Sequence, residues 1–318
     1  MSLKINCLML NNEIWALKLR LRYEYGFYDK ILVTEARKTF SGGDKPLYFD
    51  KYRDTIADPE NKITYIVLND LPYDAGIEYK TESGILLKGN RWPAESAMRN
   101  GASATLQAMG LTQEDIVVVQ DIDEIANLDS VALHVSSLGA RHVHKFCYHD
   151  YRGTIASSGT APGIVESGYI IRGSMVGGDL ADYKRLHIGS DGFPQAWHNS
   201  APLWAQSLDG QPLGSLVRMP DVTFTRGRQT GEPLGWHLSD MTGGWNDLLI
   251  HKINSFAHAE CDIHGRVESE DFWRDVQNFT QKQNERGAYN FDDIDESIPD
   301  FIRSCAREFP ILFKPRKA

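Results

Sequence analysis

Ile116-Val117-Val118-Val119-Gln120-Asp121-Ile122-Asp123-Glu124-Ile125 joins a run of β-branched residues to three carboxylates within four positions. A continuous apolar run of this length reads as a strand buried on both faces, as in a parallel sheet. Unpaired carboxylates cannot sit inside such a strand, because stripping an ion of water without a partner is strongly unfavourable. Asp121, Asp123 and Glu124 are therefore expected at its carboxyl end, the edge where open α/β sheets bind ligands. Asp-x-Asp in an extended chain presents two oxygens on one side, a donor pair for a hard divalent cation that would clamp a diphosphate. Asp-x-Asp alone is also a common solvated acidic turn. Its weight here comes from the apolar run before it and from what flanks it.

Upstream, residues 5–10 read as a first strand, and Asn11-Asn12-Glu13 suits a helix start. Trp15 to Tyr23 alternates as a strand would, yet Ile14, Leu17, Leu21 and Tyr25 also share a helical face. The length of the run and Gly26 as a left-handed stop favour helix. Residues 30–36 and 62–68 read as second and third strands, with Glu35 and the loop from Arg37 to Gly43 after the second. Residues 73–90 look like a flexible insertion. Trp92-Pro93 opens one helix to Met109, stopped by Gly110, in which Glu95 and Arg99 pair on the exposed side or Arg99 points at a phosphate. The first 125 residues thus form a doubly wound half-sheet ending in the acids.

Downstream the βα alternation stops. Residues 142–147 suggest a strand with one polar face, whose histidines are solvated or hydrogen-bonded rather than metal ligands. Residues 157–192 read as long loops over a pocket with a short strand at 168–173. A helix is expected from about 247 to 258 behind Gly243-Gly244, with further helices over 268–286 and 300–309.

The chain has 318 residues, of which 42% are hydrophobic and 24% charged, as in an ordinary globular domain. A formal charge of -9 argues against nucleic acid or an anionic membrane surface as partner. Residues 1–10 are too short and apolar-poor for a signal core or a membrane span, so a soluble, cytoplasmic protein is expected. Cys7, Cys147, Cys261 and Cys305 are dispersed and read as reduced, packed thiols. Asn278-Phe279-Thr280 fits a glycosylation sequon but has no secretion signal to support it.

Several stretches coincide with one pattern. Asn12-Glu13 with Leu17 and Arg20, Thr39-Phe40 with Lys45-Pro46-Leu47-Tyr48, Trp92-x-x-Glu95-x-x-x-Arg99-Asn100, and Val119-x-Asp121-x-Asp123-Glu124-Ile125 are joined by Gly235-Trp236-His237-x-Ser239 and Ser255-Phe256-x-His258-x-Glu260. Together they resemble glycosyltransferase family 17, which includes β-1,4-mannosyl-glycoprotein N-acetylglucosaminyltransferases. The chain departs from that pattern at Ala126, where proline is usual, and at Asp240, where an aromatic is usual.

The resemblance implies an α/β fold of GT-A type for nucleotide sugars, with a mostly parallel central sheet flanked by helices and a loop-rich acceptor half. It implies a single domain over 1–318, with a nucleotide-sugar half at 1–128, an acceptor half at 129–262 and peripheral helices at 263–318. The activity implied is an inverting transfer of a sugar, N-acetylglucosamine favoured, from a UDP-sugar donor to a glycan-type acceptor hydroxyl. Asp121, Asp123 and His237 fall on positions that would hold Mn²⁺ or Mg²⁺ against the diphosphate. Inversion also needs a base, for which Asp247 and Glu260 are the candidates. Glu35, Thr39 and Arg99 are candidates for uridine, ribose or phosphate contact, against scaffold pairing as the plain alternative. A HAD-like metal-dependent phosphohydrolase and a non-catalytic sugar-binding protein are the other readings.

Overall fold

In the computed structural model, which describes residues 2–80, 86–152, 163–188, 193–198, 206–207, 215–226, 235–239 and 300–304, the apolar run forms a strand inside a nine-stranded sheet. The parallel part contains β1 (Lys4–Leu10), β2 (Lys30–Ala36), β3 (Ile63–Leu68) and β6 (Ile116–Asp121), in the order β3-β2-β1-β6. α1 (Ile14–Glu24) crosses from β1 to β2. α2 (Tyr48–Tyr52) leads toward β3, and α3 (Trp92–Asn100) with α4 (Ser103–Ala108) precedes β6. Successive side chains of β6 alternate between two cores. Ile116 and Val118 pack with Leu8, Leu17 and Val33, while Val117 and Val119 pack with Cys7, Leu106 and Tyr169. Each of these fully buried valines contributes about 1.5–3 kcal/mol relative to exposure.

Beyond β6 the sheet turns mixed. β9 (Gly163–Arg172) runs antiparallel to both β6 and β8 (His142–Arg152). β8 carries β14 (Thr223–Arg226) and β15 (Gly235–Ser239) in parallel, and β15 pairs antiparallel with β7 (Glu124–Ala126). Five pairings are parallel and three antiparallel. The expected mostly parallel α/β sheet of GT-A type is thus present.

The sheet must curl. β6 and β7 stand four places apart in the strand order, yet Ile122 and Asp123 alone join them. Three Cα steps reach about 11 Å, whereas four flat strand spacings span about 19 Å. Curling brings the far edge of the sheet back to the end of β6.

Several local expectations are corrected. β6 ends at Asp121, where the acids were expected, but Asp-x-Asp is not extended: the chain turns at Ile122 and Asp123 and changes pairing partner. Gly26 is not left-handed; α1 ends at Tyr25 in the right-handed region, with φ -57°. The stretch 73–90 is a bulged hairpin of β4 (Asp74–Lys80) and β5 (Leu86–Asn90), which pairs with β12 (Gln206–Ser207). The helix expected over 92–109 breaks at Gly101, where a Cβ would meet Thr34 Cγ2 at 2.6 Å, so close contact with β2 decides the break. Gly110, with φ +62°, does end the second piece.

An unforeseen helix, α5 (Leu128–Ser137), follows β7, capped by Asn127, whose side chain accepts from Asp129 N and Ser130 N. β8 has no polar face: His144, Lys145, Phe146, Cys147 and Tyr148 are all buried because other strands and helices cover both sides. β9 is longer than the short strand expected at 168–173. The stretch expected as loops contains α6 (Leu180–Lys184) and leads into a three-stranded sheet of β10 (His187–Ile188), β11 (Pro194–His198) and β13 (Ser215–Arg218). α7 (Asp300–Ser304) seats Phe301 on Tyr23, stacked at 3.9 Å, and edge-on to Trp236 at 5.8 Å. The helices expected over 247–258 and 268–286, with Cys261, Cys305 and the sequon, lie outside the described residues. Cys7 and Cys147 are buried thiols.

Candidate active site

Asp121 is the last residue of β6, and its placement follows from the strand ahead of it. Its carboxylate does not face bare solvent. Arg99 of α3 donates to Oδ1 at 2.5 Å and to Oδ2 at 3.2 Å, and the Lys184 ammonium reaches Oδ2 at 3.0 Å. Arg99 is buried at 4% exposure and bridges on to Glu95 at 2.8 Å. The exposed Glu95–Arg99 pair of the sequence reading is therefore a buried one, because α3 lies against the sheet end. Burial alone would raise the Asp121 carboxyl, but Arg99 and then Lys184 outweigh it and hold it well below the usual carboxylate range. Burial alone would likewise lower the Arg99 guanidinium, and Asp121 followed by Glu95 reverses that.

Lys184 closes α6, a helix tied to α3 at two points. Asn100 Nδ2 donates to Asp179 Oδ1 at 2.9 Å, and Arg185 donates to Ser96 Oγ at 2.8 Å. From there Lys184 also reaches Glu124 Oε1 at 2.6 Å. Glu124 is 1% exposed and fully engaged: it accepts from Asp121 N at 2.9 Å, from Gly168 N at 3.0 Å and from the Ser167 hydroxyl.

Arg20 of α1 holds the same turn from below. Its guanidinium donates to Asp121 O at 3.0 Å, to the Glu124 carbonyl, to Gln120 Oε1 at 2.6 Å and to both oxygens of Glu24. Burial pushes the Glu24 carboxyl up to about 7 against the opposing pull of Arg20.

Asp123 points to the other rim. His237 Nε2 of β15 lies 3.7 Å from Asp123 Oδ1, and Leu238 N donates to Asp123 O at 2.8 Å. The closure of the sheet thus sets His237 beside Asp123 at one rim, while Arg99 holds Asp121 at the other. Glu124, Lys184, Arg20 and Gln120 complete the cluster and were not foreseen as site residues. Arg20 stood in the motif pattern, but Lys184 carried no local signal.

Glu35 and Thr39 lie elsewhere. Glu35 is fully buried, accepting from Lys45 Nζ at 2.8 Å, Tyr65 OH at 2.8 Å, Tyr48 N at 2.7 Å and Phe49 N at 3.0 Å. It anchors α2, which is scaffold pairing. Thr39 Oγ1 accepts from Gly43 N at 3.1 Å and bonds Ser41 Oγ at 2.9 Å, which closes its own loop. Asp247 and Glu260 lie outside the described residues.

Among the described residues no three His, Cys, Asp or Glu side chains gather as a metal-binding group. The donor chemistry of Asp123 and His237, one carboxylate and one imidazole, suits Mn²⁺ or Mg²⁺ when phosphate oxygens complete the shell. Asp121 joins them only by exchanging a cation it already holds. On that basis the residues fit a divalent ion supplied together with its diphosphate.

Among the described residues no helix is long and apolar enough to cross a membrane. Comparison with curated proteins gives no match. The family model described as glycosyltransferase family 17 matches residues 4–146, a stretch that runs from β1 through the acidic turn into β8 and sets the phosphohydrolase reading aside. Over that stretch, 143 of the 318 residues, the chain is similar to glycosyltransferase family 17, which supports a glycosyltransferase enzyme.

Proposed function

We propose that this protein transfers a sugar, N-acetylglucosamine favoured, from a UDP-sugar to a glycan hydroxyl with inversion, using Mn²⁺ or Mg²⁺ at Asp123, His237 and Asp121. The observation that carries the reading is the meeting of Asp123 and His237 at 3.7 Å, at the carboxyl edge of the parallel strands, from elements more than a hundred residues apart. When bound, the cation would offset the negative charge that develops on the departing diphosphate.

The chain's own residues do the rest. Arg20 and Glu124 hold the turn rigid, so the Asp123 carboxylate is oriented before any ligand arrives. Arg99 provides fixed positive charge beside Asp121, the more open end of the cluster. The base that takes the acceptor proton is assigned to Asp247, at the helix start expected behind Gly243-Gly244, or to Glu260, in the Ser255-Phe256-x-His258-x-Glu260 match. The domain division stated above, 1–128, 129–262 and 263–318, belongs to the same proposal.

The test is thermal unfolding with UDP. UDP is expected to raise the melting temperature only with Mn²⁺ or Mg²⁺ present, and equal stabilisation in EDTA refutes the metal role. Asp123→Ala is expected to reduce transfer to background while the fold stays intact, since the bond from Leu238 uses the Asp123 backbone carbonyl.

A further inference from the structure

Lys184 is the cation in the cluster that the reaction reading leaves without a necessary role. It sits at the end of α6, 12% exposed, between Asp121 at 3.0 Å and Glu124 at 2.6 Å. Glu124 does not depend on it, having Asp121 N, Gly168 N and the Ser167 hydroxyl as further donors. Asp121, at 27% side-chain exposure, is the more open of the two carboxylates and the one the family reading assigns to a metal. Around the turn, Arg20, Arg99, Lys184 and Arg185 face Glu24, Glu95, Asp121, Asp123 and Glu124, four cations against five carboxylates. A lone divalent cation entering here meets an ammonium already on its ligand, and a lone diphosphate meets the carboxylates. Delivered together they nearly cancel.

We propose that Lys184 is a resident counter-ion: it occupies Asp121 until a divalent cation arrives, then transfers its ammonium to a phosphate oxygen of the donor, making metal and nucleotide bind as a pair. The inference rests on the metal reading above. Lys184 acts here as a positioning residue. Its long flexible stem swings a point charge between two oxygen acceptors, which the planar fork of Arg99, fixed by Glu95 and Asp121, cannot do. Binding free energies are reciprocal, so a nucleotide that draws Lys184 away tightens the metal, and the metal tightens the nucleotide by the same factor.

The test is a Mn²⁺ titration of the full chain without nucleotide, read by the free-Mn²⁺ paramagnetic resonance signal, followed by UDP binding at saturating Mn²⁺. Lys184→Gln keeps donors for both carboxylates but no charge, and is expected to bind Mn²⁺ about tenfold tighter, the effect of removing one unit charge a few ångströms away. It is also expected to bind UDP with Mn²⁺ more weakly. Lys184→Arg, whose fork grips Asp121 more firmly, is expected to bind Mn²⁺ more weakly than wild type, so the proposal stays testable even if the glutamine variant does not fold. Equal Mn²⁺ affinity in all three proteins overturns the exchange and leaves the metal reading standing. UDP binding that is identical in EDTA overturns the metal reading and the exchange with it.

Discussion

At the scale of single residues, the most consequential side chain is one with no exposed surface. Arg20 is 0% exposed and donates to Asp121 O, the Glu124 carbonyl, Gln120 and Glu24, so it ties the first helix to the acidic turn. Removing one partner of such a buried ionic set leaves the other charges uncompensated. Arg20→Met is expected to destabilise the fold by about 3–5 kcal/mol, measured by urea unfolding. In sequence Arg20 looks like the polar half of an alternating run, because its partners other than Glu24 lie about a hundred positions away. Asp121 and Asp123 were legible for the opposite reason: a carboxylate next to three consecutive valines can sit only at a strand end.

At the scale of elements, the site depends on how closely β15 approaches β7. A Cβ on Gly235 would lie 2.2 Å from Ile125 O and 2.8 Å from Ala126 Cα, backbone atoms that cannot step aside cheaply. Gly235→Ala is expected to push the strands apart, separating His237 from Asp123, with a stability loss of about 1–3 kcal/mol and a larger fall in transfer. Calorimetry and a sugar-transfer assay read the two effects separately. Periodicity located β1, β2 and β3 well: β1 and β2 bury most of their length, and β3, at the sheet edge, is a continuous apolar run that is half-buried throughout. It misplaced the break at Gly101 and overlooked β4 with β5, where a contact with Thr34 and a hairpin partner decide the conformation.

For the whole molecule, acid stability reflects two buried clusters. His144 of β8 lies under His134, with ring centroids 4.2 Å apart, and shares the Thr225 hydroxyl with His142. Burial, then His134 and His142, lower its pKa to about 3. The unfolded chain takes up that proton near pH about 6.5 while the folded protein refuses it, so this contribution to stability is lost as pH falls from there toward 3. Asp121 shifts downward too: its contribution is full above its unfolded value of about 3.9 and disappears as pH falls below it. Urea midpoints against pH are expected to carry two declining stages from these groups, set against the opposite trend from Glu24, which, pushed up to about 7, takes its proton in the folded state first. His144→Gln should flatten the upper stage and Asp121→Asn the lower. Unchanged profiles in both variants would remove the assigned causes.

By itself the sequence determined the α/β class, the four parallel strands, the strand-end position of the acids and, through its scattered motifs, the likeness to one family. Those are properties of local pattern, where burial preference and chain period act over a few residues. Only the tertiary structure decided that the sheet curls, that His237 faces Asp123, and that Lys184 and Arg99 share Asp121. Each of these depends on contacts between residues distant in the chain, and side chains with ordinary local surroundings acquire their charge partners only when the far edge of the sheet returns to the end of β6.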